Sequence, residues 1–366
     1  MMRRRSESNA CGTCRALPRA IRGFTLLELM VSVAILSIVV IGVFESLTRQ
    51  HRTSIVTENV VEVQNNVRAI ASLLEREIRM AGYMVPDAVA VCGRDLTTAS
   101  DELFVSETEP IVPDDARAGD MGARLSTGSV WSNPSGITTL SLDSTTTDLD
   151  GDGNYFYDND GNGTPEADFR VDGGVIIGDL ANPHRGIACG RVTAASSTQI
   201  TFVPVAGGLD AHDATNDAEE EIVLVPAARY WVDTAGGVGR LMRNADLLAQ
   251  GVDDFQVSYY YDFDGDGVVD NAVDLDGDGS PDPGETEEPG TKSGNPYDPA
   301  DWDNSTLSEV RFSIVVRTRA DDQGFADGAW VELENRTPPG GPNDGFRRRV
   351  VVGSVRPRNV GTLGSI

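Results

Sequence analysis

Residues 24–44 read FTLLELMVSVAILSIVVIGVF, 21 residues in which Glu28 is the only charge. A helix needs about 20 apolar residues to cross a bilayer core, so this stretch is long enough for one crossing. A carboxylate inside such a span is costly and marks a functional position. Upstream, residues 1–23 hold six Arg and one Glu, with Arg19, Arg22 and Gly23 directly before the span. A basic leader before an apolar span places the leader in the cytoplasm and the rest of the chain outside it. A secretory signal fits less well. The apolar run exceeds a usual signal core, and no A-x-A-like site follows it. A plain N-terminal membrane anchor has the same hydropathy.

The helix is expected to continue beyond the span. Val56, Val60, Val63, Val67, Ile70 and Leu74 recur at steps of four and three, and Ile78 and Ala81 extend the series. That spacing is one apolar stripe on a helix. Gly82 supplies a C-cap and Pro86 bars extension. A helix from Phe24 to Ala81 is about 87 Å long at 1.5 Å per residue. Its first half is apolar all round. Its second half is apolar on one side and needs a domain to cover it.

These residues carry a resemblance. RAIRG (19–23) followed by FTLLELMVSVAIL (24–36) resembles the prepilin signal of type IV pilins and type II secretion pseudopilins. The resemblance implies a dedicated prepilin peptidase that cuts between Gly23 and Phe24 and methylates the new amine. It also implies that Glu28, fifth after the cut, serves in assembly. ASLLEREIRMAGY (71–83), GVDDFQVSYYYD (251–262), SEVRFSIVVRTR (308–319) and RRRVVVGSVRPRN (347–359) look more loosely like PilW-type minor pilins. The stretches 143–220 and 262–303 resemble nothing in that family beyond their acidic loops.

After Gly82 the pattern changes to short β-type runs between Gly, Pro, Asn and Asp. Strands are expected at 103–105, 137–142, 175–177, 199–205, 222–225, 228–232, 239–243, 252–261, 307–317, 330–333 and 346–355. A short helical turn is expected near 245–250. The fold class is therefore α+β: a long N-terminal helix against a mostly antiparallel β head. The expected divisions are a leader at 1–23, a helix at 24–82 whose part 24–44 spans the membrane, and a head at 83–366.

The chain has 366 residues and a formal charge of −27, and loss of residues 1–23 takes the side-chain charge to −32. So acidic an exported domain repels phosphate, and no nucleic-acid partner is expected. Divalent cations suit it better. Asp274, Asp276, Asp278, Gly279, Ser280, Asp282 and Glu285 fill a twelve-residue calcium loop. The acids stand at positions 1, 3 and 5, the glycine at 6, the Ser280 carbonyl at 7, Asp282 at 9 and a bidentate carboxylate at 12. Asp262, Asp264, Asp266 and Asp270 repeat the start of that loop just before it, and this earlier loop, with Val273 in its twelfth place, must borrow a further ligand. No helices flank the two loops, so they resemble thrombospondin-type calcium repeats more than paired EF-hands. Asp148, Asp150 and Asp152, then Asp158, Asp160 and Asn162, form a second acidic region at 148–169 with irregular spacing. A solvated acidic turn is the plain alternative. Against it, eleven acids at 262–288 repel one another without a cation. Calcium is the expected cofactor.

Of the four cysteines, Cys11 and Cys14 lie in the leader as a CxxC without a second pair or a histidine nearby, which argues against zinc. Cys92 and Cys189 lie in the exported part, where disulfides persist. A bridge between them is the expectation, and two separate buried thiols the alternative. His51, His184 and His212 are scattered, and no GxSxG elbow or P-loop occurs, so no enzyme is expected. The reading that follows is a minor pilin or pseudopilin whose partners are the prepilin peptidase, other pilin subunits and the inner membrane. Its head would lie in the periplasm, then on a pilus or the cell surface after assembly, at the tip or in priming. The rival is a membrane-anchored, calcium-dependent adhesin or binding module that never enters a filament.

Overall fold

The computed structural model describes residues 24–83, 85–86, 89–96, 98–107, 122–126, 131–143, 156–157, 166–167, 169–181, 185–196, 198–209, 221–261, 307–319, 321–322, 325, 333, 336 and 344–360. Among the described residues, one helix, α1 (Leu26–Met80), precedes fifteen strands. They are β1 (Val91–Arg94), β2 (Glu102–Ser106), β3 (Ala123–Arg124), β4 (Thr138–Ser141), β5 (Phe156–Tyr157), β6 (Glu166–Ala167), β7 (Gly174–Asp179) and β8 (Ile187–Ser196). β9 (Gln199–Gly207), β10 (Ile222–Asp233), β11 (Arg240–Arg243), β12 (Asp246–Gln250), β13 (Val252–Tyr261), β14 (Leu307–Arg317) and β15 (Arg348–Val355) complete the set. Every pairing between them is antiparallel. The chain is α+β, with a long N-terminal helix and a mostly antiparallel β region.

Two compact units divide within α1, between Thr57 and Glu58. In the first, the large apolar side chains from Phe24 to Phe44 are exposed. Ser32 and Ser37 donate their hydroxyls to the carbonyls of Glu28 and Val33, at 2.7 and 2.8 Å. Both hydroxyls are thereby satisfied within the helix itself, on a surface that is otherwise apolar.

In the second unit the stripe does what its spacing requires. Val67, Ile70, Leu74, Ile78 and Ala81 are buried, with Ala71 beside them. They share one core with Val89–Cys92, Phe104, Tyr230, Phe255, Phe312 and Val355. The helix ends as its residues dictate. Gly82 takes a φ of +76°, open to glycine at low cost. Its amide donates to Ser106 Oγ at 3.0 Å. Asn359 Nδ2 donates to the Met80 and Ala81 carbonyls at 3.3 and 3.4 Å. The C-terminal stretch of the chain thus satisfies acceptors that the end of a helix leaves open.

The large sheet runs β1-β2-β10-β7-β8-β9-β4, with β11 on β10 and β12 on β11. β3 pairs with β10 at Val223 and Leu224, and Leu125, next along, bridges to Leu142 just past β4. The far edge of the sheet is so brought back to β10. A second core fills the resulting curl, from Trp131, Phe169, Val175, Ile177, Ile200, Phe202 and Leu224. A separate sheet has the order β13-β14-β15.

Several elements differ from the sequence expectation. Residues 222–225 and 228–232 are one strand, β10, running through Pro226. Proline lacks only the amide, and its carbonyl still accepts from Glu107 N at 2.9 Å. Residues 246–250 form β12 rather than a helical turn, because Ala249 and Leu247 find partners in Leu241 and Met242. β8 was not foreseen. Its sequence IACGRVTAAS is rich in small residues of weak strand preference, and burial between β7 and β9 decides it. Of the strand expected at 330–333, only Leu333 is described, in an isolated bridge to Arg336.

Candidate functional site

The start of α1 is the first candidate, and its geometry is local. Thr25 stands just before the helix. The backbone amide and hydroxyl of Thr25 both donate to Glu28 Oε2 at 3.1 Å. Thr25 Oγ1 in turn accepts from the Glu28 amide at 3.2 Å. This reciprocal arrangement is a capping box, which satisfies donors that a helix N-terminus leaves open. The negative side chain also sits at the positive end of the helix dipole. Glu28 is thus oriented toward the chain's own N-terminal side. Phe24, at the expected cut, is 81% exposed. Gly23 lies outside the described residues.

The second feature is the polar seat of the other half of α1. Glu77 accepts the hydroxyl of Tyr230 and is paired with Arg243 at 3.2 Å. Arg243 reaches Glu107 at 2.9 Å, and Arg170 stands 3.9 Å from the same Glu107 oxygen. Burial pushes the Tyr230 hydroxyl well above its ordinary range, and the Glu77 carboxylate adds to this. Burial alone would lower the Arg243 guanidinium, but Glu107 and Glu77 outweigh it and hold the charge more firmly. The group is a charge-balanced anchor for helix residues 58–80.

Cys92 on β1 and Cys189 on β8 are joined by a disulfide, with Cα atoms 6.2 Å apart and both residues fully buried. Their strands are not neighbours in the sheet, since β2, β10 and β7 stand between them in the pairing order. The curl of the sheet brings them together.

The acidic residues proposed as ligands lie outside the described residues: Asp262, Asp264, Asp266, Asp270, Asp274, Asp276, Asp278, Ser280, Asp282 and Glu285, and likewise Asp148, Asp150, Asp152, Asp158, Asp160 and Asn162. Described strands bracket two of these regions. β5 pairs with β6 through Phe156↔Ala167 and Tyr157↔Glu166, on either side of 158–165. Tyr261 pairs with Leu307, on either side of 262–306. Among the described residues, no three His, Cys, Asp or Glu side chains are grouped to hold a metal ion.

One buried acid was not foreseen from the sequence. Asp101 is 2% exposed and accepts the amides of Leu96 and Val257 at 2.9 and 2.8 Å. Burial raises its carboxyl to about 8, with Asp95 and Asp254 adding to the rise and the two amides opposing it. In sequence it is one acid among 57 Asp and Glu, with no local mark of burial.

Residues 18–44 match the Prokaryotic N-terminal methylation motif. Residues 229–359, from β10 to the stretch that caps α1, match Type IV Pilus-assembly protein W. No curated protein matches the chain. Among solved structures, the type IV-like pilin TTHA1219 from Thermus thermophilus is similar at 14% identity and a TM-score of 0.21, over 52% of this chain and 88% of that one. With a prepilin-type N-terminus and a W-type region over its last third, the chain is most like the PilW-type minor pilins of the type IV prepilin family.

Proposed function

We propose that the chain is a structural subunit cut by prepilin peptidase between Gly23 and Phe24 and built into a type IV pilus or a type II secretion-type filament. The observation that carries this reading is the pairing of a matched methylation motif at 18–44 with an apolar helix surface left uncovered from Phe24 to Phe44. The leader holds the chain in the inner membrane until the cut. Glu28 of one subunit then pairs with the freed amine of a neighbour, which makes two costly charges tolerable in an apolar bundle. The capping box supports this by holding the carboxylate toward the N-terminal side. The helices pack as the filament core, and the head faces out, first in the periplasm. A large acidic head favours a subunit used sparingly, at the tip or in priming.

The experiment is N-terminal sequencing of the mature protein, followed by Glu28→Ala. A methylated Phe24, and a variant that is cut but missing from sheared filaments, are the expected results. An intact leader, or a cut beyond Val43, supports the membrane-anchored adhesin instead. A Glu28→Ala protein present in filaments at wild-type level refutes the pairing.

The acidic regions are proposed to bind calcium, with Asp274–Glu285 as the principal loop. The ligand spacing supports this reading, and the β13–β14 pairing of Tyr261 with Leu307 closes the stretch of chain that contains the loop.

A further inference from the structure

β15 ends the three-stranded sheet. One of its edges pairs with β14 without interruption, from Val310↔Val355 to Arg317↔Arg348. The other edge has no strand partner among the described residues. In an antiparallel strand, alternate residues turn their amide and carbonyl groups outward. Native edges are usually blunted by shortness, lysine, proline or a bulge. β15 has eight residues, RRVVVGSV, with no lysine, proline or acid, and no register shift against β14. Val352 at its middle is 59% exposed.

The charged residues of the strand and of the stretch just after it, from Arg348 to Arg358, are all arginines. Arg347 is paired with Asp322, and Arg348 with Asp253 and Asp344. Arg349, Arg356 and Arg358 are exposed to solvent. In a chain of net charge −27, this is a basic rim on an open edge. A second copy added antiparallel about Val352 sets arginine against arginine, which opposes self-pairing. A nucleic acid meets the repulsion of the whole molecule. An extended acidic peptide meets neither obstacle.

We propose that β15 is an acceptor edge for an extended segment of a different protein subunit, with Asp or Glu near its ends, added as a fourth strand. Main-chain hydrogen bonds supply the affinity, and the arginines select an acidic partner and set its register. Asn359 and the Arg358 amide tie the far end of this edge to the Met80 and Arg79 carbonyls. A strand docked here is therefore coupled to the end of α1. The inference relies on the filament reading only for where the partner is met, and the test below does not require a filament.

The experiment uses the full chain in detergent micelles and a short fluorescent peptide with a Val/Thr centre and acidic ends. Binding is read by anisotropy. The comparison probes are the same peptide with lysine ends, the acidic peptide with alternate backbone amides methylated, and a single-stranded DNA oligonucleotide. Saturable binding of the acidic peptide is expected, at least about tenfold tighter than each comparison probe. Combined Arg349→Gln, Arg356→Gln and Arg358→Gln should remove that preference, with a cooperative thermal melt showing that the variant is folded. Equal binding of the methylated peptide reduces the edge to a charged patch and overturns the proposal. Equal binding of the lysine peptide or of DNA overturns it too, as does self-association through β15.

Discussion

Tyr230 on β10 donates its hydroxyl to the carboxylate of Glu77, one turn from the end of α1, across a separation of 153 residues. The pair lies beside Arg243, which neutralises Glu77 from β11. The apolar stripe gives this half of the helix its affinity for the head. Stripes tolerate sliding by a turn, and a buried hydroxyl held by a partly buried carboxylate does not.

Tyr230→Phe removes this bond while keeping the ring in the core. Hydrogen bonds to charged groups contribute about 1.5–3 kcal/mol, and a loss of that order is expected. Glu77→Ala should cost more, because it leaves a buried hydroxyl without its acceptor and Arg243 with fewer counter-charges. Urea unfolding of the full chain in detergent measures both. Two unchanged midpoints would show that the stripe alone seats the helix.

The Cys92–Cys189 bridge closes a loop with a sequence separation of 97. In the chain-entropy model a loop of that size stabilises by about 4 kcal/mol at most. Replacing both cysteines by serine should lower the melting temperature and leave secretion across the membrane intact. Linked peptides in a non-reduced digest are expected, and two free thiols in exported protein would contradict the bridge.

Asp101 makes the head sensitive to pH in an unusual direction. Its folded-state value, about 8, lies above its ordinary 3.8. The folded state therefore holds the proton more tightly. The contribution is fully present below about 3.8 and is lost as pH rises toward 8, on the order of a few kcal/mol. Asp95 and Asp254 face it and keep the proton on, while the Leu96 and Val257 amides favour its release. Stability measured between pH 5 and pH 8 should fall with pH, and Asp101→Asn should flatten that slope even if it lowers the level. Parallel slopes in the two proteins would reject the assignment.

Calcium is expected to protect the 262–288 region from proteases and to raise the melting temperature. Extracellular sites of this kind bind at about 10⁻⁴–10⁻³ M. At tenfold excess the stabilisation is then about 1–2 kcal/mol. Glu285→Gln, which removes the bidentate charge, should reproduce the effect of a chelator. Identical cleavage patterns with calcium and with chelator would reduce these loops to solvated acidic turns.

The sequence by itself determined the helix and its two characters. Apolar residues on every side from Phe24 to Phe44 leave no buried face to choose, and the steps from Val56 to Ala81 name the face that is buried from Val67 onward. Both are statements about a single period, which a linear chain displays in full. Alternation, with one irregular step in β13, made β13 and β14 readable for the same reason, and the spacing of Gly23, Phe24 and Glu28 marked the prepilin-type motif. The tertiary structure alone decided what depends on residues far apart. It made β8 a strand although its own residues barely favour one, and it turned 246–250 into a strand by supplying β11 as partner. It brought Cys92 to Cys189 by curling a sheet in which their strands are not adjacent. It selected Asp101, from among many acids, for a site where water cannot reach it. Burial and pairing are properties of neighbours in space, and no local pattern of residues records which neighbours those will be.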